Sequence, residues 1–114
     1  MGTLGPASIV VVEFPFSDLT RVMLRPAVVL IDVGQGDWLL CQIISNPHAD
    51  PQAVGIEADD ILIGELARLS FARPTKLFTA NASLITKQVA VLKDDTFSEI
   101  VLTTIRALQQ VVPQ

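Results

Sequence analysis

The sequence is poor in the residues that build staples, metal sites and aromatic cores: it has one cysteine, one histidine, one tryptophan, five phenylalanines and no tyrosine. Cys41 alone can form no internal disulfide. With His48 as the sole imidazole it offers no cysteine–histidine zinc set, so neither a metal nor any other cofactor is expected. Long apolar runs are missing too. The longest, Pro26 to Ile31, stops at Asp32, far short of the ~20 residues that cross a bilayer as a helix. Met1 to Pro6 has neither the basic nor the apolar segment of a secretory leader. No membrane association is expected, and a reducing cytoplasm is the natural compartment. No internal repeat is visible.

What is present is aliphatic. Half of the 114 residues are hydrophobic, and Val, Ile and Leu dominate them, enough for one domain over 1–114 with a single core. Residues 1–6 are expected to be a flexible N-terminus. A mean hydropathy of +0.50 in a chain with no membrane span points to apolar surface hidden by a partner, and a homodimer is expected. The net charge is −4 and the pI about 4.7. Neutralising many phosphates requires surplus cations, so broad nucleic-acid binding is disfavoured. A short RNA in a local basic cleft is still allowed.

Along the chain, Ile9–Phe14 is β-branched and flanked by prolines, the pattern of a buried strand. Arg25–Ile31 predicts a second strand with Pro26 at its start, where a missing N–H is tolerated. Gly34-Gln35-Gly36-Asp37 predicts a turn, and Trp38–Ser45 a third strand, completing a hairpin or meander. The loop Asn46–Pro51 follows, then a short strand at Val54–Ile56. Asp59–Leu66 could hold one helical turn with Ile61, Leu62 and Leu66 inward. Leu69–Arg73 alternates as a strand, Lys76–Thr79 is its expected extension past the proline, and Ile85–Leu92 is the last strand.

A helix follows, with Asp94, Asp95 and Thr96 competing as N-cap. Thr96 with Glu99 fits a capping box. Phe97, Val101, Ile105, Leu108 and Val112 form its apolar stripe, and Pro113 ends it. The strands are too hydrophobic for a sheet wet on one face. A mainly β chain, folded as a short β-barrel with one amphipathic C-terminal α-helix laid against it, is the architecture these patterns imply.

The string IVVVEFPFSDLTRVMLRPAVVL resembles the opening of the MazF/PemK/Kid family of toxins. The likeness continues through LLCQIIS, the loop with Asp50-Pro51, and RPTKLFTANASLI before the last strand and helix. In order, it spans roughly residues 7 to 110 and is nearest to the PemK-like branch. The resemblance implies a small SH3-like β-barrel of the CcdB/Kid/MazF type, a homodimer and a cognate antitoxin. It also implies metal-independent endoribonuclease chemistry on single-stranded RNA, the action of an mRNA interferase. In that chemistry the ribose 2′-OH attacks the adjacent phosphate and leaves a 2′,3′-cyclic phosphate and a 5′-OH.

By this resemblance Arg25 is the arginine of the cleft, gripping phosphate oxygens and balancing transition-state charge. The alternative for the same residue is an ordinary strand-edge arginine. Arg73 matches a second arginine, which could bind phosphate or base, or pair with Glu13, Asp18 or Asp50. Arg21 could guide RNA.

The sequence also departs from the pattern. Ile43-Ile44-Ser45 replaces an Ile-Thr-Ser string, so Ile44 stands in place of a threonine hydroxyl. Ser45 is the candidate catalytic hydroxyl, provided that the strand end turns it, because adjacent strand residues face opposite ways. Thr75 stands where Asp is frequent, able to bind RNA but not to act as a carboxylate base. Ala7-Ser8 replaces the usual glycine before the first strand.

Other residues read as structural. His48 is a loop histidine, Cys41 is buried and inert, Trp38 belongs to core or dimer packing, and Asp59-Asp60 is a solvated loop end. Two rival functions remain. One is a binding module of the same fold that has lost cleavage. The other is a gyrase inhibitor, by analogy with CcdB.

Overall fold

The computed structural model describes residues 3–15, 22–47 and 50–114. Arg21, His48, Ser17 and Asp18, with most of the loop between the first two strands, lie outside the described residues. Seven antiparallel strands form one curled sheet, a half-barrel closed by a C-terminal helix, as the hydrophobic patterning implied. The strands are β1 Ser8–Pro15, β2 Val22–Gly34, β3 Asp37–Ile44, β4 Val54–Ile56, β5 Ile61–Gly64, β6 Ser70–Asn81 and β7 Ile85–Leu92. Their order across the sheet is β4-β6-β3-β2-β1-β7-β5. Helix α1, Asp94–Gln109, packs against β6 and β4.

Strand alternation sorts the apolar side chains into two clusters, one on each face. One gathers Ile9, Val28, Cys41, Ile43, Ala72, Leu92 and the helical Ile100. The other gathers Val10, Val12, Ala27, Val29 and Leu40, edged by Trp38 and Phe78. Phe14 packs against Phe78 with centroids 4.5 Å apart and the rings tilted by 57°, so the few aromatics finish the second cluster and do not form the centre of the first.

Several local expectations change. Strand β2 starts three residues earlier than Arg25, at Val22, and pairs with β1 from there. Its register with β3 begins only at Ala27 opposite Gln42, so Pro26 lies beyond that ladder. The segment after β4 has a single 3-10 turn, Ala58–Asp60, and then a strand, so Leu62 is exposed and not inward. Asp60 is no solvated loop end. Its carboxylate accepts from the Glu57 N–H and from the Thr96 hydroxyl at 2.6 Å, tying β5 to the helix start. These bonds hold its pKa below the ordinary aspartate value.

The helix begins at Asp94 with Lys93 as N-cap, so Thr96 sits inside the first turn and the expected capping box does not form. Its buried side is Thr96, Ile100 and Thr104, with Phe97 and Val101 beside them. Ile105, Leu108 and Val112 are exposed. The periodicity of the stripe was legible, but its phase was off by about one position, because two threonines take the inward places.

Strand β6 carries a large bulge. Cys41 pairs with Leu77 and Ile43 with Ala72, so Arg73 to Lys76 are looped out opposite Gln42. The carbonyls of this bulge are caught from both sides. The Cys41 thiol donates to the Arg73 carbonyl at 2.9 Å, and the Thr104 hydroxyl lies 2.9 Å from that of Pro74.

Candidate functional site

Where β2 and β3 part, beyond Ala27 and Gln42, a cleft of about 570 Å³ opens. One wall is the start of β2, Met23 to Pro26. The second is the end of β3 with Ser45 and Asn46, and the third is Leu66 to Arg68 with Ser70 at the entry to β6. Volume and mixed lining fall in the range of ligand sites.

Arg25 is half-buried in this cleft. No described side chain pairs with its guanidinium, and the Arg73–Asp50 bridge is the ion pair found among the described residues. Ser45 lies one residue past the end of β3, in a bend, exposed and in the same cleft. Strand alternation does not fix its direction there, because β3 ends at Ile44. Ile44 is also on the wall, half-buried, and brings an apolar surface to the place where the resemblance implied a hydroxyl.

Arg73 and Thr75 are not among the cleft-lining residues. Arg73 donates through Nε to Oδ2 of Asp50 at 2.9 Å, and the Asp50 carboxylate also accepts the Gln52 N–H at 2.9 Å. Of the two readings offered for Arg73, pairing with Asp50 describes its contact. The Arg73 hydrogen bond is the main reason that the Asp50 carboxyl sits below the ordinary range. Thr75 is exposed on the bulge. Both residues sit on the segment that shapes β6, with Asp50 as its clasp. Cys41 is fully buried, and burial pushes its thiol up to about 12, which makes it inert.

One functional candidate was missed. Arg68 is exposed at the cleft rim and, like Arg25, has no described side-chain partner. Its backbone carbonyl accepts the Ser70 hydroxyl at 3.1 Å, which fixes the short connection that carries it. The string Glu65-Leu66-Ala67-Arg68 has no distinguishing pattern, and only the fold brings it to Arg25. A second depression of about 270 Å³ adjoins the first and shares Leu66 and Arg68 with it.

The cleft is therefore cationic in a net-negative chain. Among the described residues its lining has two arginines and no carboxylate or imidazole. Its chemistry suits an anion that accepts hydrogen bonds, and a phosphodiester fits that description. No group of three or more His, Cys, Asp or Glu side chains among the described residues could hold a metal. No described helix is long and apolar enough to cross a membrane.

Neither protein-family models nor curated proteins match the sequence. Solved structures do match the fold. A chain of MazE–MazF from Deinococcus radiodurans aligns with a TM-score of 0.75 at 18% identity, covering 93% of this chain and 96% of that one. An endoribonuclease in complex with its cognate antitoxin, from a mycobacterial species, aligns at 0.74 and 10% identity over 97% and 100%. The Mycobacterium tuberculosis toxin MazF-mt6 aligns at 0.69 and 13% identity over 90% and 96%. The chain thus has the fold of the MazF toxins over at least 90% of its length.

Proposed function

From this fold and from Arg25, which has no side-chain partner among the described residues of its cleft, we propose that the chain is the toxin of a toxin–antitoxin pair that binds single-stranded RNA and cleaves it without a metal. The observation that carries the reading is Arg25, a half-buried guanidinium with no described protein partner, in the cleft that Ser45 also lines. A partly desolvated guanidinium gains from an anionic partner, and a phosphate in the cleft would supply one.

In the proposed reaction the 2′-oxygen forms a bond to phosphorus and the bond to the 5′-oxygen breaks. The 2′-OH loses a proton and the 5′-oxygen gains one, so no oxidant or co-substrate is needed. Arg25 holds two non-bridging oxygens and balances the charge that grows on them. Ser45 orients the phosphate by hydrogen bonding. Arg73 and Thr75 support the site through the β6 bulge in this reading, and Arg21 is proposed to guide RNA. A cognate antitoxin and a second copy of the chain are the protein partners. The exposed apolar face of α1 at Ile105 and Leu108 is surface that either could cover.

A second reading has its own support. Ile44 lies on the cleft wall, and the described lining holds no general base, so RNA binding without turnover fits the same geometry.

The deciding experiment incubates the purified protein with a long single-stranded RNA, next to Arg25→Ala. Fragments with cyclic-phosphate ends that vanish in the variant are the expected result. Tight binding with intact RNA selects the second reading. No binding and no cleavage in the absence of antitoxin would sink both, and a supercoiling assay would then test gyrase inhibition.

A further inference from the structure

We infer that Arg68 and the 270 Å³ depression behind it form a second nucleotide subsite, continuous with the Arg25 cleft. The subsite takes the neighbouring phosphate of a single-stranded RNA at Arg68 and its base against Ile56, Ile61, Leu66 and Leu69. The inference rests on the RNA-binding reading of the Arg25 cleft and extends it by one nucleotide.

The depression exists because of the sheet order. Strands β4 and β5 stand at opposite ends of the hydrogen-bonded series and do not pair with each other, yet only the short turn 58–60 separates them in sequence. Ile56 ends one, Ile61 begins the other, and Leu66 and Leu69 come from the connection to β6. The seam between them is lined by these four aliphatic side chains with Arg68 and Glu57. Leu66 and Arg68 belong to both hollows, so a ligand can run from one to the other past the guanidinium.

Three features favour a nucleotide as the occupant. The junction carries an arginine with no described side-chain partner, which complements a polyanion. The hollow continues a cleft already suited to phosphate. Its size admits one base and is small for the apolar face of a partner helix. Unstacked bases of single-stranded RNA bind apolar surfaces by their faces and are read at their edges. Glu57 lines the second hollow and not the Arg25 cleft, and its carboxylate accepts the Asp60 N–H across the 58–60 turn, which leaves its remaining acceptor capacity for a base edge and not for the phosphate at Arg25. As an acceptor without donors it favours the amino group of cytosine over uracil.

The test measures binding of 2′-O-methyl octanucleotides, which lack the attacking hydroxyl, by fluorescence polarisation across a salt series. Arg68→Ala is compared with Arg25→Ala and with Arg106→Ala, a control that removes the same charge from the helix. Arg68→Ala is expected to weaken binding about tenfold and to flatten the slope of log K against log salt by roughly 0.7, one phosphate of a single strand. Arg106→Ala is expected to leave the slope unchanged. A cytidine octamer is expected to bind more tightly than a uridine octamer, with the difference lost in Glu57→Gln.

If Arg68→Ala behaves like Arg106→Ala while Arg25→Ala still weakens binding, the subsite is wrong and the RNA reading stands. Equal binding of the two octamers by the native protein overturns the base assignment. A native protein that binds neither octamer overturns both readings. If Arg68→Ala impairs only the binding of an antitoxin, the hollow belongs to a protein partner and the inference fails.

Discussion

The Arg73 guanidinium and the Asp50 carboxylate meet at 2.9 Å across the loop after β3 and the bulge of β6, and Asp50 is only 7% exposed. The bond joins two segments that carry no backbone ladder to each other. Because Arg73 depresses the Asp50 pKa, the stabilisation is complete above the unfolded aspartate value of about 4 and is lost as pH falls through the lower folded value. Urea unfolding from pH 7 down to about pH 2 is expected to show a weaker pH dependence in Asp50→Asn than in the native chain. At pH 7 the variant is expected to be about 1–2 kcal/mol less stable. Parallel curves for the two proteins would contradict this assignment.

Thr104 is the helix's polar contact with the bulge. Its hydroxyl lies 2.9 Å from the carbonyls of both Ile100 and Pro74 and is buried. Thr104→Val keeps the shape and removes the donor, leaving the Pro74 carbonyl without this bond. A loss of about 1–3 kcal/mol is expected in thermal or urea unfolding. A neutral effect would mean that water reaches the Pro74 carbonyl.

Ala7 adopts a φ of +74°, a backbone conformation that favours glycine. It is held there by its N–H bonded to the Val29 carbonyl and its own carbonyl accepting from Leu92. Ala7→Gly relieves about 1–2 kcal/mol of backbone strain. It forfeits about 0.8 kcal/mol of buried methyl and frees the unfolded chain, so its net effect is expected to be near zero. Ala7→Val is expected to cost about 2 kcal/mol or more, because a β-branched residue tolerates this conformation worst. The difference in melting temperature between the two variants measures the strain.

Cys41 reports on opening of the core. Its thiol is raised to about 12 by burial, so at pH 8 it is protonated as well as shielded. A thiol reagent such as DTNB is expected to label the native protein only at the rate of unfolding and to label it promptly in urea. Fast labelling in buffer would show that the β3–β6 bulge opens locally.

Ile44 gives a test by gain of function. Ile44→Thr places a hydroxyl on the cleft wall beside Ser45. With one added hydrogen bond to the phosphate, cleavage is expected to rise about tenfold. The measurement is the initial rate on a long single-stranded RNA, and an unchanged rate would remove position 44 from the reaction.

Local pattern went far here. The β-branched runs located β1, β3, β4 and β7, and the three- and four-residue spacing located α1, because such signals depend on neighbours in sequence alone. Patterns that depend on partners failed. Val22 joins β2 because β1 is there to pair with it, and Ile61–Gly64 is a strand because β7 offers an edge. The helix stripe was placed out of phase because Thr96 and Thr104 face inward, each with a buried acceptor waiting in Asp60 or Pro74.

The candidate site divides in the same way. Arg25-Pro26, Ser45 and the substitution at Ile44 were all legible, since each is a residue type at a fixed place in a recognisable string. That Ser45 escapes strand alternation depends on where β3 ends. That Arg73 faces Asp50, and that Arg68 shares a cleft with Arg25, depends on contacts across 23 and 43 residues of chain. Residue type and local periodicity determine which segments extend, which turn and which charges exist. Only the curl of the sheet, set by pairing and burial between distant segments, decides which charges meet a neighbour, as Arg73 meets Asp50, and which line the cleft.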